Sequence, residues 1–115
     1  MRLESKKLLR DVLDAADLLA AFAGDKSFAD YESDPMLRSA VERQFEIIGE
    51  ALRQLGSRDP AVVEAIPDHR RIVSFRNVLI HGYAQVENKL VWEALSTRLG
   101  PLRESIRRLL EPTRP

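Results

Sequence analysis

Hydrophobic residues recur with a helical period along nearly the whole chain. In the first segment, an apolar stripe that advances by four and then three residues predicts a helix over Leu3–Ala23, which Gly24 should end. The stripe consists of Leu8, Val12, Ala15, Leu19 and Phe22. Ser27 then stands where it could cap one further helical turn. The chain is therefore predicted to open with one long amphipathic helix and one short helix.

A second long helix has a clear start signal. Asp34 is a good N-cap, and Pro35 loses nothing in the first turn because the backbone N–H that it lacks would be unbonded there. Gly56 is predicted to end this helix. Gly49 lies inside it, where glycine costs ~1 kcal/mol relative to alanine, so we expect this glycine to permit close approach of another helix. The apolar stripe consists of Val41, Phe45, Ile48, Leu52 and Leu55.

The second half of the chain predicts three more helical regions. Asp59-Pro60 repeats the cap-then-proline signal and should open a short helix over Ala61–Ile66, and a longer helix follows over His69–His81. The last region covers Asn88–Glu111, with a kink or break expected at Gly100-Pro101. In the longer helix, the positions expected to face the core are Ile72, Phe75, Leu79 and Ile80.

Length and composition agree with one folded unit. The chain has 115 residues, of which 44% are hydrophobic and 31% charged, enough for a single core. Four substantial helices with short connections predict an all-α fold, an antiparallel four-helix-type bundle with extra short helices, as a single domain over residues 1–115. The apolar segments are too interrupted for a secretory signal or a membrane span. We therefore expect a cytoplasmic protein with no membrane partner.

Charge and missing motifs exclude several kinds of site. Eighteen basic and eighteen acidic residues cancel, so any nucleic-acid site must be a local patch. Most of the basic residues are arginine, whose planar guanidinium matches phosphate, although a coding bias would produce the same excess. The chain lacks cysteine, paired-histidine metal spacing and a Gly-rich phosphate loop. It is therefore predicted to bind no metal and no cofactor.

The best candidate for chemistry is the stretch Arg76-Asn77-Val78-Leu79-Ile80-His81-Gly82-Tyr83. His81 falls in the last turn of a predicted helix, where the helix dipole favours the imidazolium and suits it to proton transfer. The alternative is a histidine that only caps the last carbonyls. Asn77 shares the face of His81 and could orient its imidazole. Arg76 lies ~140° away around an ideal helix, and a surface or inter-helix salt bridge is its ordinary alternative role.

Three neighbouring positions complete this region. Gly82 stands where a left-handed residue is expected to end the helix. Tyr83 could pack its ring over the helix end, contact a substrate or be covalently modified. His69, beside two arginines near the start of the same helix, is expected to be exposed and to have no functional role.

The complete string Arg76-Asn77-x3-His81-x-Tyr83 resembles the Arg-x4-His-x-Tyr signature of the HepT-like family of HEPN domains. Glu46-Ile47-Ile48-Gly49-Glu50-Ala51 also resembles a stretch in the family's second long helix. The resemblance covers nearly the whole chain and implies a HEPN domain that acts as a dimeric, metal-independent ribonuclease toxin on RNA. It further implies a partner, a minimal nucleotidyltransferase antitoxin of the MntA type, which attaches AMP to the motif tyrosine, here Tyr83.

The divergence of Arg76 and His81 supports a homodimer independently. Two copies of their helix facing each other across a two-fold axis would pool both residue types in one cleft. There His81 would move protons, Arg76 would stabilise phosphate charge, and Asn77 would orient the reacting groups. Two alternatives stay open, namely a non-catalytic HEPN module that binds a nucleotide or a nucleotidyltransferase, and a structural bundle with no ligand. The intact motif favours the ribonuclease.

Overall fold

The computed structural model describes residues 1–81 and 87–112, and all regular structure in these ranges is helical. The helices are α1 (Leu3–Ala23), α2 (Phe28–Ser33), α3 (Pro35–Arg58), α4 (Pro60–Val63), α5 (His69–His81), α6 (Asn88–Thr97) and α7 (Leu99–Leu110). The all-α fold class predicted from the periodicity is confirmed. None of the described helices combines the length and the apolar run needed to cross a membrane.

The predicted starts of α2 and α3 are confirmed by their capping bonds. The Ser27 hydroxyl accepts from the Asp30 N–H at 3.1 Å, and the Asp30 carboxylate accepts from the Ser27 N–H at 2.9 Å. This reciprocal pair is a capping box. The Asp34 carboxylate accepts from the N–H groups of Met36 and Leu37 at the start of α3. Local hydrogen bonding therefore sets both helix starts.

The end of α3 differs from the prediction. The helix does not stop at Gly56 but continues to Arg58. Asp59, predicted to cap the next helix, makes no capping bond with its side chain. Its carboxylate instead accepts a 2.6 Å hydrogen bond from the hydroxyl of Ser5, which is buried in α1. A buried hydroxyl needs a partner, and this long-range bond takes the place of the local cap.

Two other boundaries lie earlier than predicted. Helix α4 spans four residues, Pro60–Val63, rather than Ala61–Ile66. The expected break near Gly100-Pro101 is present, but it lies at Arg98, between α6 and α7. A proline at position 101 lacks the N–H that would bond to the Thr97 carbonyl four residues earlier. Helix α6 therefore ends at Thr97, and the proline is accommodated in the first turn of α7.

Helix α3 lies at the centre of the packing, between α1 and α5, while α7 packs on the other side of α1. The fully buried aliphatic side chains that join these helices include Leu9, Val12, Leu19, Ile48, Leu52 and Ile106. Helix α5 packs chiefly on α3. Among the described helices it therefore lies at the edge of the bundle, with one side covered by α3.

Candidate active site

Helix α5, which carries the candidate motif, buries little of its apolar surface. Of its thirteen residues only Ile72 is fully buried. Phe75 and Leu79 are half-buried against the core, as their spacing predicts. Ile80 was also predicted to face the core, but it is 43% exposed, and Val78 is 50% exposed. The edge position of α5 explains both values, because none of the other described helices covers that side.

Gly49 of α3 brings α5 close enough to position Arg76. A Cβ atom added at Gly49 would lie 2.7 Å from Cγ of Arg76 and closer still to its Cβ. Carbon atoms in ordinary contact are ~3.5–4.0 Å apart, so no larger residue fits without moving a helix. The close approach predicted for this glycine is therefore confirmed, and its partner is the arginine of the motif.

The guanidinium of Arg76 is held by a carboxylate on α3. Its Nη2 lies 2.8 Å from Oε2 of Glu50, and the Arg76 side chain is only 21% exposed. Its Nη1 donates to Oδ1 of Asn77 at 2.9 Å, while its buried Nε has no hydrogen-bond partner among the described residues. The inter-helix salt bridge considered for this arginine is therefore present, and it fixes the direction of the guanidinium.

Glu50 is itself held by two neighbours one turn further along α3. Arg53 donates to both carboxylate oxygens, at 2.6 and 3.2 Å, and Gln54 donates to one of them at 3.2 Å. These contacts lower the pKa of Glu50 to about 2, with the Arg53 hydrogen bond as the largest cause and the charge of Arg76 as a smaller one. The carboxylate therefore stays ionised at neutral pH and maintains its ion pair with Arg76.

Arg76 borders a groove of about 500 Å³ between α1, α3 and α5. The charged residues that line it balance in sign: the acidic ones are Glu4, Asp11, Glu46 and Glu50, and the basic ones are Lys7, Arg43, Arg58 and Arg76. The groove therefore offers an anion no net positive charge. A phosphate that reached Arg76 from this side would have to compete with Glu50.

His81 and Asn77 are both exposed, on a side of α5 that α3 does not cover. One chain therefore brings Asn77 to Arg76 through a hydrogen bond, but it leaves His81 on a different side of the helix from the half-buried arginine. This agrees with their divergence of ~140° on an ideal helix. The predicted positions of Gly82 and Tyr83 lie outside the described residues.

The model of the family described as ribonuclease HepT-like matches residues 12–109. The chain belongs to the HepT-like ribonuclease family. The predicted resemblance is thereby confirmed, and so is the ribonuclease class at the level of the family. The toxin role, the mechanism, the modification of Tyr83 and the partners remain predictions.

The relatives of this HepT-like chain carry similar names. A gamma-glutamylcyclotransferase and putative RNase of Methanocaldococcus jannaschii is 31% identical over 111 residues, which cover 96% of this chain and 50% of that protein. A probable ribonuclease HepT of Thermococcus cleftensis is 28% identical over 109 residues, covering 95% and 98%. A putative RNase of Caldanaerobacter subterraneus is 29% identical over 103 residues, covering 90% and 91%. The chain thus spans half the length of the first relative and nearly all of the other two. No solved structure matches it.

The expectation that His69 of this HepT-like chain is exposed was wrong. Its side chain is only 15% exposed, and its Nε2 lies 3.6 Å from Oε1 of Glu64. The physical reason is helical geometry, because position 69 lies two turns before Arg76 and so falls on nearly the same face of α5. The arginine beside it, Arg70, reaches the same carboxylate at 3.2 Å.

Glu50 is the site residue that sequence reasoning missed, because no role could be assigned to Glu46 or Glu50 from the sequence alone. The available signal was local: a carboxylate directly follows a glycine that interrupts an otherwise good helix. If such a glycine marks a close helix contact, the next acidic side chain is well placed to meet a cation on the other helix. Glu46 also lines the groove, 3.8 Å from Arg43.

Proposed function

We propose that this HepT-like protein is the toxin of a toxin–antitoxin system and a metal-independent endoribonuclease that uses Arg76, His81 and Asn77. The observation that carries the proposal is the setting of these groups on α5 in a member of a ribonuclease family. Glu50 fixes the arginine against α3, while the histidine is exposed one turn further along the helix. A fixed cation and an accessible proton-transfer group are what RNA cleavage without a metal requires.

RNA supplies its own nucleophile, the ribose 2′-hydroxyl. A neutral imidazole takes the proton of this hydroxyl, the oxygen attacks the adjacent phosphorus, and the bond from phosphorus to the 5′-oxygen breaks. An imidazolium gives the departing 5′-oxygen its proton. The products are a 2′,3′-cyclic phosphate and a 5′-hydroxyl. Arginine neutralises the charge on the pentacoordinate phosphate. This route needs one base and one acid, and two copies of His81 would supply both.

The proposal therefore includes a homodimer that assembles through α5. A single chain contributes one His81 and directs Arg76 to another side of the helix. Val78 and Ile80 flank the motif as exposed apolar side chains, and a second copy would remove this surface from water. We expect Val78→Asp/Ile80→Asp to be monomeric by light scattering and inactive on RNA. A monomeric variant with full ribonuclease activity would contradict the shared cleft.

The primary test uses a 5′-labelled RNA of defined sequence, incubated with purified protein in the presence of EDTA. Cleavage should persist and leave 2′,3′-cyclic phosphate ends, and Arg76→Ala or His81→Ala should lower the rate by ~10²–10⁴-fold. Asn77→Ala should have a smaller effect, because this residue only orients its neighbours. His69→Ala is the matched control and should retain activity. Activity that is lost with EDTA and restored by a divalent ion would overturn the mechanism.

A second candidate function is a non-catalytic HEPN module that binds a nucleotide or a nucleotidyltransferase. The Arg76–Glu50 ion pair favours this alternative, since it gives the arginine a structural role that needs no substrate. The two candidates differ in the RNA assay: a binding module would leave RNA intact with or without divalent ions, and its His81→Ala variant would behave like the wild type.

Control of the toxin is proposed to act through Tyr83, which a minimal nucleotidyltransferase of the MntA type would modify with AMP from ATP. The phenol oxygen attacks the α-phosphorus, pyrophosphate leaves, and the phenol proton passes to solvent. The added phosphate and adenosine, two residues from His81, would obstruct the RNA site by charge and bulk.

Co-expression with such an enzyme, followed by intact mass measurement, tests this modification. The mass of wild type should increase by one or more AMP units, while Tyr83→Phe should stay unmodified and active on RNA. The only other tyrosine, Tyr31, is fully buried, so Tyr31→Phe is the matched control and should be modified like wild type. A neutralised toxin without added mass would indicate inhibition by binding alone.

A further inference from the structure

A second surface on α5 differs from the groove at Arg76 in its charge. It is an open depression of about 350 Å³, lined by Arg70, Arg71, Ser74, Phe75, Val78 and Arg98. Three of these six residues are arginines, and none is acidic. We name it the arginine depression. It lies where α5 approaches the junction of α6 and α7, which holds Arg98.

The arginines of this depression are not equally engaged with other groups. Arg70 lies 3.2 Å from a carboxylate oxygen of Glu64, so its charge is partly balanced. Arg71 and Arg98 have no carboxylate within 4.0 Å among the described residues. Arg76, in contrast, is paired with Glu50. In a chain with zero net charge, the arginine depression is thus a local concentration of positive charge.

We propose that the arginine depression binds the sugar–phosphate backbone of single-stranded RNA and leads the strand along α5 to His81. This inference rests on the proposed ribonuclease function. The forked donors of arginine suit phosphate oxygens, and Phe75, which also lines the depression and is only partly buried, offers an apolar edge to a ribose or a base. From Arg71 to His81 the helix rises ~15 Å, a distance that a few nucleotides can span.

Sequence spacing supports the continuity of this path. Arg70, Ser74 and Asn77 precede His81 at intervals that keep all four residues on one face of an α-helix. All four are polar and exposed. An RNA strand that follows this face would pass the guanidinium of Arg70, the hydroxyl of Ser74 and the amide of Asn77. It would then reach the imidazole of His81. The path also avoids the carboxylates of the groove between α1, α3 and α5.

The test measures binding separately from cleavage by using a fluorescent 2′-O-methyl RNA, which lacks the attacking hydroxyl. We expect Arg71→Ala/Arg98→Ala to weaken binding roughly ten- to hundredfold and to reduce the slope of log K against log salt by ~1.4, about 0.7 for each lost phosphate contact. The variant Arg71→Lys/Arg98→Lys should keep most of the salt dependence of binding, because lysine keeps the positive charge at both positions. Arg10→Ala, an exposed arginine of α1 that also lacks a carboxylate within 4.0 Å among the described residues, should bind like wild type.

The outcomes separate this inference from the proposed function. The inference would be overturned if Arg71→Ala/Arg98→Ala bound the probe with the same affinity and the same salt dependence as wild type. It would also be overturned if neither protein bound the probe. A monomeric double variant, under conditions where wild type is a dimer, would also overturn it, because the depression would then be a contact between two copies. If wild type binds the probe through these arginines but does not cleave ordinary RNA, the RNA path is supported and the proposed ribonuclease function fails.

Discussion

Replacement of Gly49 by alanine separates helix propensity from the positioning of Arg76. In an exposed helix the change from glycine to alanine stabilises by ~1 kcal/mol. Here the new Cβ would lie 2.7 Å from Cγ of Arg76, so α3 and α5 would have to move apart by about 1 Å to reach ordinary carbon contact. Rotation of the arginine cannot relieve the clash with its own Cβ. Overpacking of this kind typically costs ~1–3 kcal/mol.

The matched control lies in the same helix. A Cβ added at Gly56 would meet its nearest atom, Cγ1 of Val63, at 3.7 Å, which is an ordinary contact. Gly56→Ala should therefore gain up to ~1 kcal/mol. Gly49→Ala should be less stable than this control by ~1–3 kcal/mol. For a domain of this size, that gap corresponds to a difference in melting temperature of several degrees, roughly 4 °C per kcal/mol.

The two variants should also differ in activity. Displacement of a reacting group by about 1 Å can cost ~10²-fold in rate, so Gly49→Ala should cleave RNA about a hundredfold more slowly while Gly56→Ala cleaves like wild type. Melting temperature and RNA cleavage would be measured on the same preparations. If Gly49→Ala is as stable as Gly56→Ala and cleaves RNA at the wild-type rate, the close approach of the helices is not what positions Arg76.

Three further predictions concern the free energy of unfolding, measured by denaturant titration. The pKa of Glu50 is lowered from an ordinary 4.5 to about 2, so the stability that this carboxylate contributes is present above pH 4.5 and is lost as pH falls through about 2. The difference in free energy of unfolding between wild type and Glu50→Gln should therefore narrow as the pH falls over that range. A difference that stays constant with pH would refute this linkage. Tyr31→Phe should leave the free energy of unfolding unchanged or raise it, because the Tyr31 hydroxyl is buried with no hydrogen-bond partner among the described residues. A lower free energy of unfolding would contradict this prediction, because it would show that the hydroxyl makes a stabilising hydrogen bond. Ser5→Ala should cost ~1–3 kcal/mol by removing the buried bond to Asp59, whereas exposed Ser74→Ala should cost little.

The sequence alone determined the features that depend on near neighbours. The bounds of α1 and α5 and the caps at Ser27 and Asp34 agree with the pattern of the chain, because capping bonds and hydrophobic periodicity act within a few residues. The close helix contact at Gly49 was also predicted from the sequence. A glycine in the middle of a helix weakens that helix, and its lack of a side chain leaves space for a neighbouring helix. The resemblance to the HepT-like family was also recognised from the sequence, and the family match confirms it.

Tertiary structure decided the features that depend on residues far apart in the chain. Asp59 does not cap α4 because its carboxylate accepts a hydrogen bond from Ser5, which lies 54 positions earlier in the chain. His69 is largely covered, although its flanking arginines suggested exposure. Glu50 became part of the candidate site only when Gly49 brought α5 against α3. Periodicity identifies which face of a helix is buried, but the partner across that face is set by packing, which no local pattern encodes.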